Sequence, residues 1–349
     1  MKYIKGLDAL RALAVAIVVI GHSRIHLFFT GSGPVARIVQ VLLPTDMFGV
    51  DVFFVLSGFL ISSVLLHADK GNLPKIILVR NFIVRRTLRI FPVYYLTLLI
   101  LWIIQYPDIH QYLGWFLTYT SNILCFKTRS WNAFSHSWSL SVEEQFYLIW
   151  PWLLLYVNKK YFKYLVAVFI LTGPVSSFIS TQISNGFSPI LTPNCFDSFG
   201  IGALYAWCSM QPGRMKRFKN GLSYAFPIAC FIYFSWKLLE TTGHIGFGDG
   251  IFNRTINSVI AVWMIDYIIK SKSGFWEIPI LIQIGKISYG IYLFHIPISM
   301  IVNSLHVSNH LYVIYAIKLS ALLLISYVSY YFFELKVMDL KKKFTYSTD

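Results

Sequence analysis

The chain has 349 residues, of which 56% are hydrophobic, 17% aromatic and only 13% charged, with 30 Lys and Arg against 15 Asp and Glu for a net charge of +15. Soluble domains carry about a quarter charged residues, so a disordered chain and an enzyme with an ordinary solvated surface are excluded. A basic nucleic-acid-binding domain is excluded as well, because its charge needs a polar face to lie on.

Mean hydropathy is +0.61, as expected for an all-α polytopic membrane protein. A helical span takes about 20 apolar residues. Ten stretches qualify, near 7–29, 48–67, 90–106, 138–157, 161–181, 195–210, 222–239, 254–270, 280–303 and 311–333. An aromatic stretch at 111–126 is shorter and either lies at the interface or re-enters. Cytoplasmic loops collect Lys and Arg. With the N-terminus inside, alternate loops hold twenty-three of the thirty, leaving Arg24, Arg37, Lys127, Arg129, Lys237, Arg254 and Lys318 on the outer side. Both termini are therefore expected in the cytoplasm. Cys125, Cys195, Cys208 and Cys230 have neither C-x-x-C spacing nor the density of a disulfide framework, and read as small buried hydrophobes. No repeat, low-complexity tract or linker appears, so one membrane domain is expected over 1–349.

Ionisable residues inside spans are costly and point to function. The first span reads GLDALRALAVAIVVIGHS. Arg11 and His22 are eleven residues apart, hence about 20° apart around a helix and ~16 Å apart along it, and Asp8 shares their stripe at i,i+3 from Arg11. Arg11 either snorkels to lipid phosphates or binds a ligand. For His22, alignment with Asp8 and Arg11 favours function over a simple interhelical hydrogen bond. His26 follows His22 at i,i+4, but Ser23 stands where a zincin carries glutamate and no third ligand is indicated, so no metal site is expected.

The second span opens FGVDVFFVLSGFLISS. Asp51 falls near the depth of His22, where it either orients the imidazole or caps the helix. Ser57-Gly58 reads as a point of close helix packing rather than a nucleophile elbow. The following segment, VRNFIVRRTLRIFPVYY, carries Arg80, Arg85, Arg86 and Arg89 at the cytoplasmic face before the third span. Arg86 and Arg89, at i,i+3, either serve ordinary positive-inside topology or present two guanidinium forks to a phosphate-rich ligand, which the choice of arginine over lysine favours. The fourth span, SHSWSLSVEEQFYLIWP, places Ser139 and Glu143 on one face with Glu144 beside them. Glu143 is a structural hydrogen-bond partner, a proton-relay member or an acceptor from a substrate hydroxyl. His136 reads as interfacial, and Asp197 adds an acid at the outer side of the sixth span.

These segments, together with IGKISYGIYLFHIPI at 284–298, resemble in order and over nearly the whole chain the acyltransferase 3 family of integral-membrane O-acyltransferases. The resemblance implies transfer of an acyl group, usually acetyl from acetyl-coenzyme A, to a hydroxyl. Acceptors in the family include lipopolysaccharide O-antigen, exopolysaccharides, peptidoglycan and some macrolides. The family's arginine-x10-histidine pair falls on Arg11 and His22, its arginine-x-x-arginine pair on Arg86 and Arg89, and its acidic position on Glu143. Arg11, Arg86 and Arg89 are thus expected to hold coenzyme A phosphates. His22 is expected to act as general base, neutral in a buried setting, with Asp51 or Glu143 steadying the imidazolium. The pantetheine arm would thread inward towards His22. Where many members have Glu-x-Pro, this chain has Glu334-Leu335-Lys336. No SGNH-type extracytoplasmic domain is expected, which resembles the stand-alone O-antigen and exopolysaccharide acetyltransferases of the bacterial inner membrane. Expected partners are membrane lipids and a lipid-linked or surface glycan. The competing function is a proton-coupled transporter or flippase using His22, Asp51 and Glu143 as a relay.

Overall fold

The computed structural model describes residues 3–23, 34–182, 186–242, 250–271, 273–306, 308 and 310–346; Arg24, His26 and Lys272 lie outside them. The described chain is helical without strands: α1 (Lys5–His22), α2 (Pro34–Leu42), α3 (Asp46–Ala68), α4 (Lys75–Ile103), α5 (Ile109–Leu117), α6 (Ser121–Thr128), α7 (Trp138–Tyr156), α8 (Phe162–Thr181), α9 (Phe196–Ser209), α10 (Pro212–Thr241), α11 (Asn253–Lys270), α12 (Pro279–Lys286), α13 (Ser288–Ser304), α14 (Leu311–Val328) and α15 (Leu335–Met338).

Several expected boundaries move. Helix α4 starts at Lys75 behind Pro74, and α10 starts at Pro212. Arg80 to Arg89 and Arg214 to Lys219 are therefore helical rather than loop residues. Proline presets the first turn, and Arg and Lys are good helix formers, so the helices outrun their apolar stretches. The 280–303 segment is two helices, α12 and α13, bent by 67°. The 111–126 segment resolves into α5 and α6, each too short to cross a bilayer. The hydroxyls of Tyr94 and Tyr95 on α4 donate to Phe116 O and Leu117 O of α5, both at 2.9 Å.

Among the described residues, Ile38–Ala68, Lys75–Ile103, Phe162–Thr181, Pro212–Thr241 and Leu311–Lys343 are long and apolar enough to cross a membrane, and the bent pair makes a sixth. Within the described residues, the other four expected segments are helical as α1, α7, α9 and α11 without reaching that length and hydropathy together, and residues 24–29 of the first lie outside them. Tyr224 and Phe231 of α10 and Tyr312 and Leu324 of α14 are exposed, whereas Asp51, Asp197, Arg254 and Glu144 are buried. That inverts the pattern of a water-soluble protein. The chain is an integral membrane protein.

The chain divides into two compact units, Met1–His67 with Leu153–Gly285 and Ala68–Trp152 with Lys286–Asp349. In the first, Leu10, Val52, Val55, Phe59, Ile201, Tyr205 and Ile265 form part of one core. The α3–α9 crossing needs two glycines. A Cβ on Gly58 of α3 would strike the Phe199 backbone, and one on Gly202 of α9 would strike the Val55 carbonyl. Gly58 is thus the packing point expected. In the second unit the core is aromatic: Tyr94 stacks on Tyr119 with centroids 4.4 Å apart, and Phe146 stacks on Trp150 at 5.4 Å.

Candidate active site

Helix α1 carries Asp8, Arg11 and His22, as the spacing requires. Arg11 and the Tyr3 hydroxyl both donate to Asp8. At the other end, His22 Nδ1 lies 3.0 Å from Val18 O, and Nε2 lies 3.6 Å from Asp46 Oδ2. Gly21 makes that approach possible, since a Cβ there would sit 2.8 Å from Cβ of Asp46. Asp46 opens α3, where the Thr45 hydroxyl accepts from Phe48 N at 3.2 Å and Asp46 Oδ1 accepts from Met47 N at 2.9 Å. The helix start is thereby capped, which holds the carboxylate at the imidazole. The His22 side chain is 31% exposed rather than buried.

Asp51 neither orients His22 nor caps α3. Its carboxylate accepts from Arg254 of α11 and from Asn257 Nδ2 at 2.8 Å. Arg254 also donates to Pro189 O at 2.9 Å and lies 5.5 Å from the Phe54 ring centroid. Arg254 belongs to this buried network rather than to an outer loop. Asp197 accepts from the Thr255 hydroxyl at 2.6 Å and from Ser198 N at 2.9 Å, with Gly173 leaving room for it. Burying a carboxylate is costly unless it is hydrogen-bonded or paired; Asp51 is both, and Asp197 is hydrogen-bonded.

The arginine segment lies in the second unit. The Arg86 guanidinium sits 5.6 Å from the Phe82 ring centroid and 5.4 Å from that of Tyr147. Arg85 donates to Lys341 O at 2.9 Å and Phe344 O at 3.1 Å, and Asn81 donates to Thr345 O at 2.6 Å. Burial raises the Tyr346 phenol above its usual range, with Arg86 and Arg85 opposing. Arg89 and Lys341 lie within electrostatic reach of Glu334, whose carboxylate accepts from the Ser329 hydroxyl at 3.0 Å in a π-helical turn, Ser329–Glu334. Lacking the proline of Glu-x-Pro, the chain runs helically on into α15.

Arg86 also lines a cavity of about 230 Å³ with Tyr119, Glu144 and Gln145. Glu144 lines this space, whereas Glu143, the acidic position that the resemblance singles out, is half-buried and does not line it. Neighbouring helical positions point about 100° apart, and sequence alone does not say which of the two a cavity will meet. Ser139 is bonded to the Tyr292 hydroxyl at 2.5 Å. His136 is buried rather than interfacial, with Nε2 3.0 Å from Leu293 O and its ring 5.0 Å from that of His295. Among the described residues, no three His, Cys, Asp or Glu side chains are grouped to hold a metal.

A family model described as an acyltransferase domain matches residues 4–331, a stretch that includes Arg11, His22, Asp46, Asp51, Arg86, Arg89 and Glu144. The chain belongs to the acyltransferase 3 family. Among similar proteins is the peptidoglycan O-acetyltransferase OatA of Listeria monocytogenes serovar 1/2a, 29% identical over 331 residues, covering 85% of this chain and 49% of the relative. YrhL of Bacillus subtilis strain 168, whose name assigns it the same activity provisionally, is 24% identical over 95% of this chain and 54% of its own. A Staphylococcus aureus strain COL protein, named provisionally as an O-acetyltransferase, is 27% identical over 96% of this chain and 57% of its own. The chain thus spans about half the length of the curated relatives it matches. No solved structure matches it.

Sequence reasoning missed Asp46 and Asn257, read Arg254 only as an outer-side charge, and noted Glu144 only as the neighbour of Glu143. Asp46 follows Thr45 just before an apolar run, the signature of a helix cap, and a cap brings a side chain to a helix end. Arg254 had a signal too: a single arginine at the start of a largely apolar span, with Asn257 about one turn on.

Proposed function

We propose that this membrane protein is an O-acetyltransferase that moves acetyl from acetyl-coenzyme A to a glycan hydroxyl. The observation that carries the reading is the imidazole of His22, held against Asp46 by Gly21, in a chain that matches the acyltransferase family over residues 4–331. His22 takes the proton of the acceptor hydroxyl as its oxygen attacks the thioester carbonyl carbon. The carbon–sulfur bond then breaks, and the imidazolium returns the proton to the departing thiolate. Asp46 is the carboxylate beside the imidazolium; Asp51 supports the reaction through the Arg254 and Asn257 network, and Glu143 through α7. Arg11, Arg86 and Arg89 provide charge for the donor's phosphates. Their guanidinium forks suit phosphate.

The names of the relatives support a cell-wall or surface glycan as acceptor, with peptidoglycan and lipid-linked or O-antigen polysaccharide as the two classes to compare. Ten spans, both termini inside and a bacterial cytoplasmic membrane complete the reading, supported by the alternation of Lys and Arg. Purified protein incubated with labelled acetyl-coenzyme A should transfer label to a glycan, or hydrolyse the thioester slowly in a manner dependent on His22. Inactivity toward every acyl donor, alongside proton-coupled solute uptake, overturns it. Masses of peptidoglycan and surface polysaccharide from cells with and without the protein identify the acceptor by one alkali-labile acetyl unit.

A further inference from the structure

A cavity of about 100 Å³ lies in the first unit, where α3 and α11 begin and α10 ends. Thr45 and Met47, on either side of Asp46, both line it, so it adjoins the carboxylate that faces His22. From α10 come Tyr233, Trp236, Lys237 and Glu240, at i, i+3, i+4 and i+7 and hence on one helix face. A single water needs ~10–15 Å³ of such space, so the cavity has room for a small ring bearing several polar groups. Four charged side chains line it, and each is already matched: Arg254 donates to Asp51, and Lys237 Nζ donates to Glu240 Oε2 at 3.2 Å. Asp46 and Asp197 also lie within electrostatic reach of Asp51, so the balance leans negative. An anionic ligand would have to draw a cation away from its carboxylate, and stranding a partly buried charge is costly. The remaining polar group asks for a neutral ligand. Among the described residues, the Tyr233 hydroxyl is buried without a hydrogen-bond partner. The Thr45 backbone is near enough to offer its N–H to the phenol oxygen, so what Tyr233 lacks is an acceptor for its own proton. A hydroxyl, ether or amide oxygen supplies one. A pyranose ring meets all these demands at once: a flat C–H face for an aromatic wall, an oxygen for Tyr233, and no charge.

We propose that this cavity seats one uncharged sugar ring of the acceptor, with its C–H face on Trp236 and one of its oxygens on the Tyr233 hydroxyl, and that the two matched ion pairs turn acidic sugars away. Through Thr45 and Met47 the seated ring adjoins Asp46, and so the imidazole that takes the hydroxyl proton. Tyr233, Trp236, Lys237 and Glu240 then set specificity and take no part in proton transfer. The assignment rests on the glycan-acceptor reading above and adds which sugar units qualify.

The test titrates the full chain, purified in detergent, by calorimetry with maltotetraose and chitotetraose, both neutral, and with tetragalacturonate, which carries a carboxylate on each ring. At least one neutral tetramer should bind, about tenfold or more tighter than tetragalacturonate. Tyr233→Phe should weaken that tetramer about fivefold, and Trp236→Leu about tenfold. Glu240→Gln should act in the opposite sense on the acid: with Lys237 released, tetragalacturonate affinity should rise about fivefold, a gain that damage to the fold does not produce. The assignment is overturned if no neutral tetramer binds, if the wild-type chain prefers tetragalacturonate, or if neutral binding ignores both aromatic substitutions. A Glu240→Gln chain that binds tetragalacturonate no better than the wild type overturns the ion-pair basis of selectivity. Hydrolysis of acetyl-coenzyme A is followed on the same samples. Hydrolysis dependent on His22 without sugar binding defeats the cavity assignment and leaves the acetyltransferase reading. Sugar binding without hydrolysis or transfer defeats that reading and leaves the sugar site.

Discussion

Asp46 Oδ2 lies 3.6 Å from His22 Nε2. Its counterpart nitrogen, Nδ1, lies 3.0 Å from Val18 O one turn back on the same helix. The Nδ1 contact sets the ring's orientation and leaves Nε2 as the nitrogen that takes a proton, with the Asp46 carboxylate near enough to steady the imidazolium. His22→Ala should abolish acetyl transfer, a loss of ~10²-fold or more, while leaving donor binding within a factor of two or so. Asp46→Asn should lower kcat about tenfold with KM unchanged, and Asp46→Glu should recover part of it. Steady-state kinetics with labelled acetyl-coenzyme A reads both; a rise in KM with intact kcat would remove Asp46 from this role.

The arginine pair gives a binding prediction. Arg86→Ala or Arg89→Ala should cost about 1.5–3 kcal/mol of donor affinity. Lysine should restore charge but not the planar fork, leaving affinity between the alanine variant and the wild type. Titration of coenzyme A into well-folded variants measures this, and unchanged affinity would withdraw the assignment.

Asp51 and Arg254 predict a stability effect. Removing one member leaves a buried charge without its partner, so Asp51→Ala or Arg254→Ala should each destabilise the protein by about 3–5 kcal/mol. The apolar pair Asp51→Leu with Arg254→Met should lose much less than the sum, because no charge is then stranded. Thermal unfolding in detergent checks it. Additive losses would show that the two residues do not act as a pair.

The α3–α9 crossing yields a steric prediction. Gly202→Ala places a methyl group against the Val55 carbonyl, and should cost about 1–3 kcal/mol through forced separation of the helices. Gly213→Ala is the control, since a Cβ there meets nothing within 4 Å. Unfolding midpoints of the two variants should separate clearly.

The sequence alone determined the fold class, the family and the placement of Arg11 and His22 on one helix, because hydropathy, charge alternation and helical periodicity are local properties of the chain. It also marked Gly58 as a packing point. It misjudged where α4 and α10 begin, since apolar runs mark the lipid-spanning part of a helix and not its full length. Three things were decided only by tertiary structure. Asp46 rather than Asp51 stands beside His22; Arg254 claims Asp51; and Glu144 rather than Glu143 lines the cavity beside Arg86. Each choice depends on which helix packs against which, and at what rotation. A shift of one residue turns a side chain by about 100°, and pairing of buried charges is settled by the neighbour that desolvates them rather than by the residue's own span.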